Sequence, residues 1–368
     1  MIAGMDFKLH IHFPITDAPT GGGNQFLRAL QQFVRSQGAL ARGAEQADAI
    51  LFNSHHQLGS LAELKRAFPH VPLIHRVDGP MRLYNNVDDS RDAVVYWAAE
   101  HLADGTVFQS EWSRRKNVEM GIPETAFSTV IPNAPNPDIF SRRPTADVPR
   151  GRKPRLVATS WSDNPNKGFD TYAYLDGHHV PDDFELTFVG NSPVQFHSVR
   201  HLDPLPSGEL AQELRRHDIF LTASRCDPCS NSLIEALHTG LPAIARDDGG
   251  HPELVGQGGE LFERPEQIPA LVERIVGVYE DYVEAFDLPS IEEVGRRYVD
   301  FCGGVVNAVR ERRYAPKTLS EDVLEAPECP IRVRAGKVRE EVDAGGPSLI
   351  RRVGGFVKRK MGGLVAGD

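Results

Sequence analysis

The chain has 368 residues, 40% of them apolar and 25% charged, the composition of a soluble globular protein long enough for two domains. Its formal net charge of −10 argues against broad affinity for nucleic acid, whose phosphates attract basic surfaces. No apolar stretch reaches the roughly 18–20 residues that span a bilayer, and four cysteines are too few for a disulfide scaffold of this size.

In chain order, residues 1–12 lack a basic segment followed by an apolar run ending in small residues. No secretory signal is therefore expected, and the chain reads as cytoplasmic with reduced thiols. Residues 7–13 read as a strand. A Gly21-Gly22-Gly23 turn then opens a helix marked by Phe26, Leu27, Leu30, Phe33 and Val34. Short apolar runs at 49–53, 72–77, 105–109 and 128–132 suit strands buried on both faces.

From Ser141 to Arg155 the chain turns Pro-rich and basic (SRRPTADVPRGRKPR), a linker composition that marks a domain boundary. A second series follows, with strands expected at 156–160, 185–189, 219–222 and 242–245 and helices from about 168, 207 and 230. Two such series predict an α/β fold of two Rossmann-like, doubly wound domains, with the ligand cleft at the carboxyl ends of the strands. Residues 267–313 read as helical and able to pack back across both domains. The expected division is a first domain over 1–145, a second over 152–290, a crossover helix over 291–314, a flexible linker over 315–347 and a tail over 348–368.

In the tail, Leu349, Ile350, Val353, Phe356, Val357, Met361 and Leu364 fall on one helical face, among Arg351, Arg352, Lys358, Arg359 and Lys360. That pattern fits a helix lying on an anionic membrane surface, which would make the protein peripheral on the inner face. Five glycines between Gly354 and Gly367 fit a frayed basic tail equally well. Cys226 and Cys229 form a C-x-x-C, but no matching pair of ligands completes a zinc site, so two loop thiols are the favoured reading. The adjacent histidines at 55–56 and 178–179 and the Asp-Asp pairs at 88–89, 182–183 and 247–248 read as surface, core or turn residues, and no metal site is expected.

The stretch from Ser224 to Ala245, SRCDPCSNSLIEALHTGLPAIA, is the most informative. Asp227 ends a strand-to-helix loop, and Ser230, Asn231 and Ser232 begin a helix. Unpaired N–H groups from about Ser230 to Leu233, together with the helix dipole, favour a bound phosphate. Glu235 sits about one turn further in. An anion-binding terminus between two carboxylates suits a ligand carrying both a diphosphate and hydroxyls. A plain capped helix with a solvated acid is the competing reading.

On these residues the chain resembles the retaining glycosyltransferases of family 4, a GT-B group in which two acids eight residues apart precede small residues, Gly, x and Pro. Asp227 and Glu235 have that spacing, and ALHTGLPAIA continues it. Further segments match in order: Gly22-Gly23 at the first helix, ADGTVFQSEW, IPNAPNPDIF, FVGNSP with Gly190, and DDGGHPELV. The resemblance covers most of residues 5–265. It implies sugar contact by Asp227, ribose contact by Glu235, a base near Gly190, and acceptor or phosphate contact by Gly22, Gly23 and Asn24. It also implies phosphate neutralisation by Lys167, of the Lys167-Gly168 pair. Asp227 stands where the family has Glu, and Ser162 where it has a clamping Arg; Arg225 and Arg246 could complete the clamp. Asp78, in HRVDGP, occupies the strand end where the family places a His. It either meets a sugar hydroxyl or acts on the acceptor, as a catalytic residue beside Asp227, or simply begins a turn.

The resemblance further implies metal-independent, retaining transfer from a nucleotide-sugar co-substrate, without a cofactor. If the tail is a membrane helix, the acceptor is a glycan or lipid-linked glycan in surface polysaccharide or glycoconjugate synthesis. A catalytically silent nucleotide-sugar-binding member and a nucleotide-sugar epimerase are the alternatives. A dehydrogenase would need Gly-x-Gly-x-x-Gly at the first strand–helix turn, and Gly21-Gly22-Gly23-Asn24 lacks it.

Overall fold

Two parallel sheets, each flanked by helices, follow one another along the chain. The computed structural model describes residues 7–16, 22–142, 149, 151–334 and 337–340. Gly21 and the tail at 348–368 lie outside the described residues.

The first sheet contains β1 (Leu9–His12), β2 (Ala49–Asn53), β3 (Leu73–Val77), β4 (Gly105–Phe108) and β5 (Phe127–Val130), hydrogen-bonded in that order. β2, β3 and β4 are buried at every position, as expected for apolar runs covered on both faces. The helices are α1 (Gly22–Ser36), α2 (Leu58–Ala67), α3 (Met81–Asn85), α4 (Ser90–His101) and α5 (Glu111–Glu119). On the outer side of β1, Leu40 bridges Leu9 in parallel. Leu9 N–H donates to the Ala39 carbonyl at 2.8 Å, and Ala41 N–H donates to the Leu9 carbonyl at 2.9 Å. After α1 the chain therefore returns along one side of β1, then crosses to β2 on the other. That reversal makes the carboxyl end of β1 a topological switch point, where crevices open in sheets of this kind.

The second sheet contains β6 (Arg155–Ser160), β7 (Glu185–Gly190), β8 (Arg200–Leu202), β9 (Ile219–Thr222), β10 (Ala243–Arg246) and β11 (Gly259–Phe262), in the order β11-β10-β9-β6-β7-β8. Its helices are α6 (Phe169–His178), α7 (Ser207–Leu214), α8 (Asn231–His238), α9 (His251–Val255) and α10 (Ile268–Gly277). Here the strand order reverses between β6 and β9, so the loops after these two strands flank the second crevice.

The stretch read as helical over 267–313 consists of α10, α11 (Tyr279–Glu284) and α12 (Ile291–Arg310). Pro289 lies between α11 and α12, and Ser290 restarts the helix with a reciprocal capping box to Glu293. α12 carries Ile291, Val294, Tyr298, Cys302 and Val305 at helical spacing, and buries them against α1 in the first domain's core. Gly295 is needed there, because any side chain would collide with the Phe33 ring. The chain thus crosses back to the first domain after completing the second.

One expectation needs correction. The start of the segment read as a flexible linker, 315–347, is docked onto the first domain. Asp104, fully buried, accepts Tyr314 O–H at 2.8 Å and Lys317 N–H at 2.7 Å. Beyond it α13 (Glu321–Glu325) contributes Leu324, followed by Cys329 and Ile331, to a core shared with α2 and α4. The apolar residues there are too sparse to show periodicity, so only tertiary contact reveals their role.

Among the described residues no helix is long and apolar enough to cross a membrane.

Candidate functional site

A cleft of about 670 Å³ opens between the two domains. The first domain lines it with the loop after β1 (Phe13, Pro14, Thr16), the start of α1 (Gly22 to Gln25), and the ends of β2 and β3 (Asn53, His56, Asp78, Gly79). The second domain supplies the ends of β6 and β7 (Thr159 to Ser162, Val189, Gly190), Lys167, and Asp227 to Ser232 with Glu235. Both groups sit at the switch points of their sheets. Gly22, Gly23, Asn24, Asp78, Lys167, Gly190, Asp227, Ser230, Asn231, Ser232 and Glu235 therefore surround one space. The Leu233 side chain points instead into the second domain's core, leaving its main-chain N–H at the start of α8.

The start of α8 is open. Its N-cap Ser230 makes no side-chain capping bond; the Ser230 hydroxyl lies 3.2 Å from the Ser232 hydroxyl. The first N–H groups of a helix lack intrahelical partners, so those of Ser232 and Leu233 are left for an occupant of the cleft.

Three ionisable groups surround this terminus. Lys167 Nζ lies 3.1 Å from Asp227 Oδ2 and 5.3 Å from the Tyr84 ring centroid. Burial by itself would lower the Lys167 pKa, but Asp227 and Tyr84 hold it above the usual lysine value. Burial would likewise raise the Asp227 carboxyl, yet Lys167, with a smaller contribution from His251, keeps it below its ordinary value. Glu235 is different. Burial pushes its carboxyl up to about 8, and no neighbouring charge or hydrogen bond offsets this. A carboxyl left without a partner in a cleft is a group poised for ligand hydroxyls.

Gly190 ends β7 at φ +126°, and any side chain there would run into the Ser160 main chain. The walls of β6 and β7 can approach each other only because of this glycine. Ser162 lines the cleft, but its Oγ accepts the Asn164 N–H at 3.1 Å and so serves its own turn. Arg225 pairs with Asp170 at 2.6 Å, and Arg246 lies over the Phe262 ring. Neither arginine lines the cleft. Among the lining residues Lys167 is the sole lysine or arginine.

Asp78 belongs to a buried network that the sequence reading did not anticipate. Arg76 is fully buried and donates to Asn53, to Asp78 Oδ1 at 3.2 Å and to Asn133 Oδ1 at 2.8 Å. Gln109 also donates to Asp78 Oδ1. Asn133 in turn donates to Gln109 Oε1 and to Asn231 Oδ1, both at 3.1 Å, the latter bond crossing to the second domain. Asn231 packs so closely on Gly22 that a side chain at Gly22 would collide with it. The segment IPNAPNPDIF contains Asn133, but nothing in its spacing points to a partner 98 residues away. His56 also lines the cleft and meets Phe13 edge-on at 5.3 Å, whereas His55 is half-buried and lowered to about 4, chiefly by that burial.

The cysteines are inert at this loop. Burial raises Cys226, and raises Cys229 to about 12, so neither is a thiolate near neutrality. Among the described residues, no three His, Cys, Asp or Glu side chains are grouped to hold a metal ion.

Residues 163–281 match the family described as glycosyl transferases group 1, which relates the Lys167–Glu235 half of the cleft to that family. Sucrose-phosphate synthase of Thermosynechococcus elongatus superposes with a TM-score of 0.58 at 15% identity, over 83% of this chain and 97% of that one. HepE of Anabaena, in complex with UDP-glucose, gives 0.58 at 13% identity, over 83% and 99%. The catalytic domain of starch synthase IV from Arabidopsis thaliana, bound to ADP and acarbose, gives 0.52 at 14%, over 78% and 79%. This is the GT-B arrangement. At such identities the likeness concerns the fold, and no curated protein matches the sequence.

Proposed function

We propose that the protein is a retaining glycosyltransferase that moves a sugar from a nucleotide-sugar donor to a glycan or lipid-linked acceptor, on the cytoplasmic side of a membrane. The observation that carries this reading is the uncapped start of α8, opening into the interdomain cleft between Lys167 and Glu235.

In this reading the donor's diphosphate takes the N–H groups of Ser232 and Leu233, with Lys167 neutralising it as a point charge. The Glu235 carboxylate accepts the ribose hydroxyls, and Asp227 a hydroxyl of the sugar. As the glycosidic bond to the diphosphate breaks, negative charge grows on the leaving oxygen next to the helix start. Fixed N–H dipoles there stabilise it without reorganising. The acceptor enters from the first domain beside Asp78, whose Oδ1 is held by Arg76 and Gln109. Same-face attack within an ion pair, the leaving phosphate taking the acceptor proton, is the mechanism proposed, because the resemblance implies retention.

A thermal-shift screen with UDP-, GDP-, ADP- and CMP-sugars tests the reading. The UDP-glucose bound by HepE and the ADP bound by starch synthase IV make those two nucleotides the first to try. A matched donor at about 100 times its Kd should stabilise the chain by about 2.7 kcal/mol through mass action. Glu235→Ala should abolish the shift. A screen in which no nucleotide sugar shifts the transition would count against the proposal.

A further inference from the structure

We infer that Glu253 is a positioning residue that clips the second domain onto the first, so that domain docking and the seating of the Asp227 loop are a single event. Glu253 Oε2 accepts the N–H of Glu111 at 2.8 Å, and Oε1 accepts that of Trp112 at 2.7 Å. These are the first two amides of α5, which no carbonyl of that helix can reach. The Ser110 hydroxyl accepts the Ser113 N–H at 2.9 Å, so α5 is capped partly by its own chain segment and partly by the other domain. A carboxylate at this end also complements the helix dipole.

Both ends of this contact lead to the acids of the cleft. On the second-domain side, Gly250 N–H donates to the Asp227 carbonyl at 2.9 Å. Gly249, at φ +66°, packs so tightly on the Asp227 main chain that a side chain there would collide with it. On the first-domain side, Ser113 Oγ and Asn117 Nδ2 donate to the Asp78 carbonyl at 3.2 and 3.0 Å. Pro228 and Trp112 both press on Gly79. Glu253 is itself exposed, and its weight comes from what the two amides join. The path Asp227–Gly250–Glu253–α5–Asp78 ties one wall of the cleft to the other. The clip follows from the fold alone; its consequence for catalysis rests on the proposed transfer reaction.

Three variants of the full chain test it. Glu253→Ala removes the acceptor. Glu111→Pro removes one donor at the first helical position, where proline is tolerated. Ser110, at φ −158° and ψ 162°, already has the extended backbone that a residue before proline needs. Glu111→Ala keeps the amide and controls for loss of the side chain. Glu253→Ala should raise the radius of gyration measured by small-angle scattering and lower kcat about tenfold, with the nucleotide Kd changed less than about twofold. Glu111→Pro should produce part of both effects in the parent and none in the Glu253→Ala background. Glu111→Ala should match the parent. Unchanged scattering in Glu253→Ala, or a full additional effect of Glu111→Pro in that background, would overturn the clip. Scattering decides the clip even in a chain that transfers no sugar, so failure of the clip and failure of the proposed reaction are separable.

Discussion

Nucleotide-sugar affinity should rise about tenfold per pH unit between pH 6 and the Glu235 value, then level off, because only the ionised carboxylate accepts both ribose hydroxyls. Glu235 stands at about 8 in the ligand-free protein, raised by burial with nothing to offset it. Binding should therefore release a proton below that pH. A nucleotide sugar is the right ligand for this titration, because its diphosphate diester takes up no proton in the range. Calorimetry at pH 6, 7 and 8, in two buffers of different ionisation enthalpy, would show both effects. Glu235→Gln should bind weakly and nearly independently of pH. A flat profile for the parent would mean that Glu235 does not meet the ligand.

The same carboxyl has a consequence for stability. Its folded value lies above the unfolded value near 4.5. The stability associated with it is therefore fully present below about pH 4.5 and lost as pH rises towards 8. Glu235→Gln should leave the ligand-free melting temperature unchanged near pH 5 and raise it by a few degrees above pH 8. A carboxylate that weakens the empty protein and strengthens the loaded one is a mark of function.

Lys167→Ala is expected to reduce transfer about 10³-fold, a loss similar to removing one preorganised charge stabiliser from a transition state. It should also destabilise the second domain by about 2–3 kcal/mol, since it leaves the mostly buried Asp227 carboxylate unpaired. The two effects can be separated. Adding Asp227→Asn removes the stranded charge, so the melting temperature of the double variant should recover, while its transfer should stay far below that of Asp227→Asn alone. Transfer equal to that of Asp227→Asn alone would show that Lys167 acts only as the partner of Asp227. Steady-state kinetics and thermal unfolding of the three variants measure both quantities.

Much of the fold could be read from the chain because it rests on local periodicity. The buried strands β2 and β9 are near-continuous apolar runs, and β3, β4 and β6 are short segments rich in Leu, Ile, Val, Phe and Ala. The short pieces could not be read in this way. β8 is Arg-His-Leu at the sheet edge, and β11 begins with Gly and Glu. The pairing of Leu40 with Leu9 is a single bridge. Edge and short strands need little apolar character, so they leave little pattern. The docked stretch after Tyr314 escaped for a related reason, since it folds by burying a few separated residues on a surface that already exists.

The candidate site divides in the same way. Asp227, Ser230 and Glu235 lie in one loop–helix segment, where spacing alone places them on a common terminus. Arg76, Asn133 and Asn231 meet across two domains, and Glu253 reaches amides more than 140 residues away in sequence. Such contacts arise from how the two sheets face each other, which no local pattern encodes.

In the proposed reaction the start of α8 receives a diphosphate between the two domains. The most direct measurement is a crystal structure of the chain with the nucleoside diphosphate, UDP or ADP, that gives the larger thermal shift. Phosphate oxygens should lie about 2.7–3.1 Å from the Ser232 and Leu233 nitrogens, with Lys167 Nζ beside them. A nucleotide bound with its phosphates away from that helix start would contradict the proposed reaction.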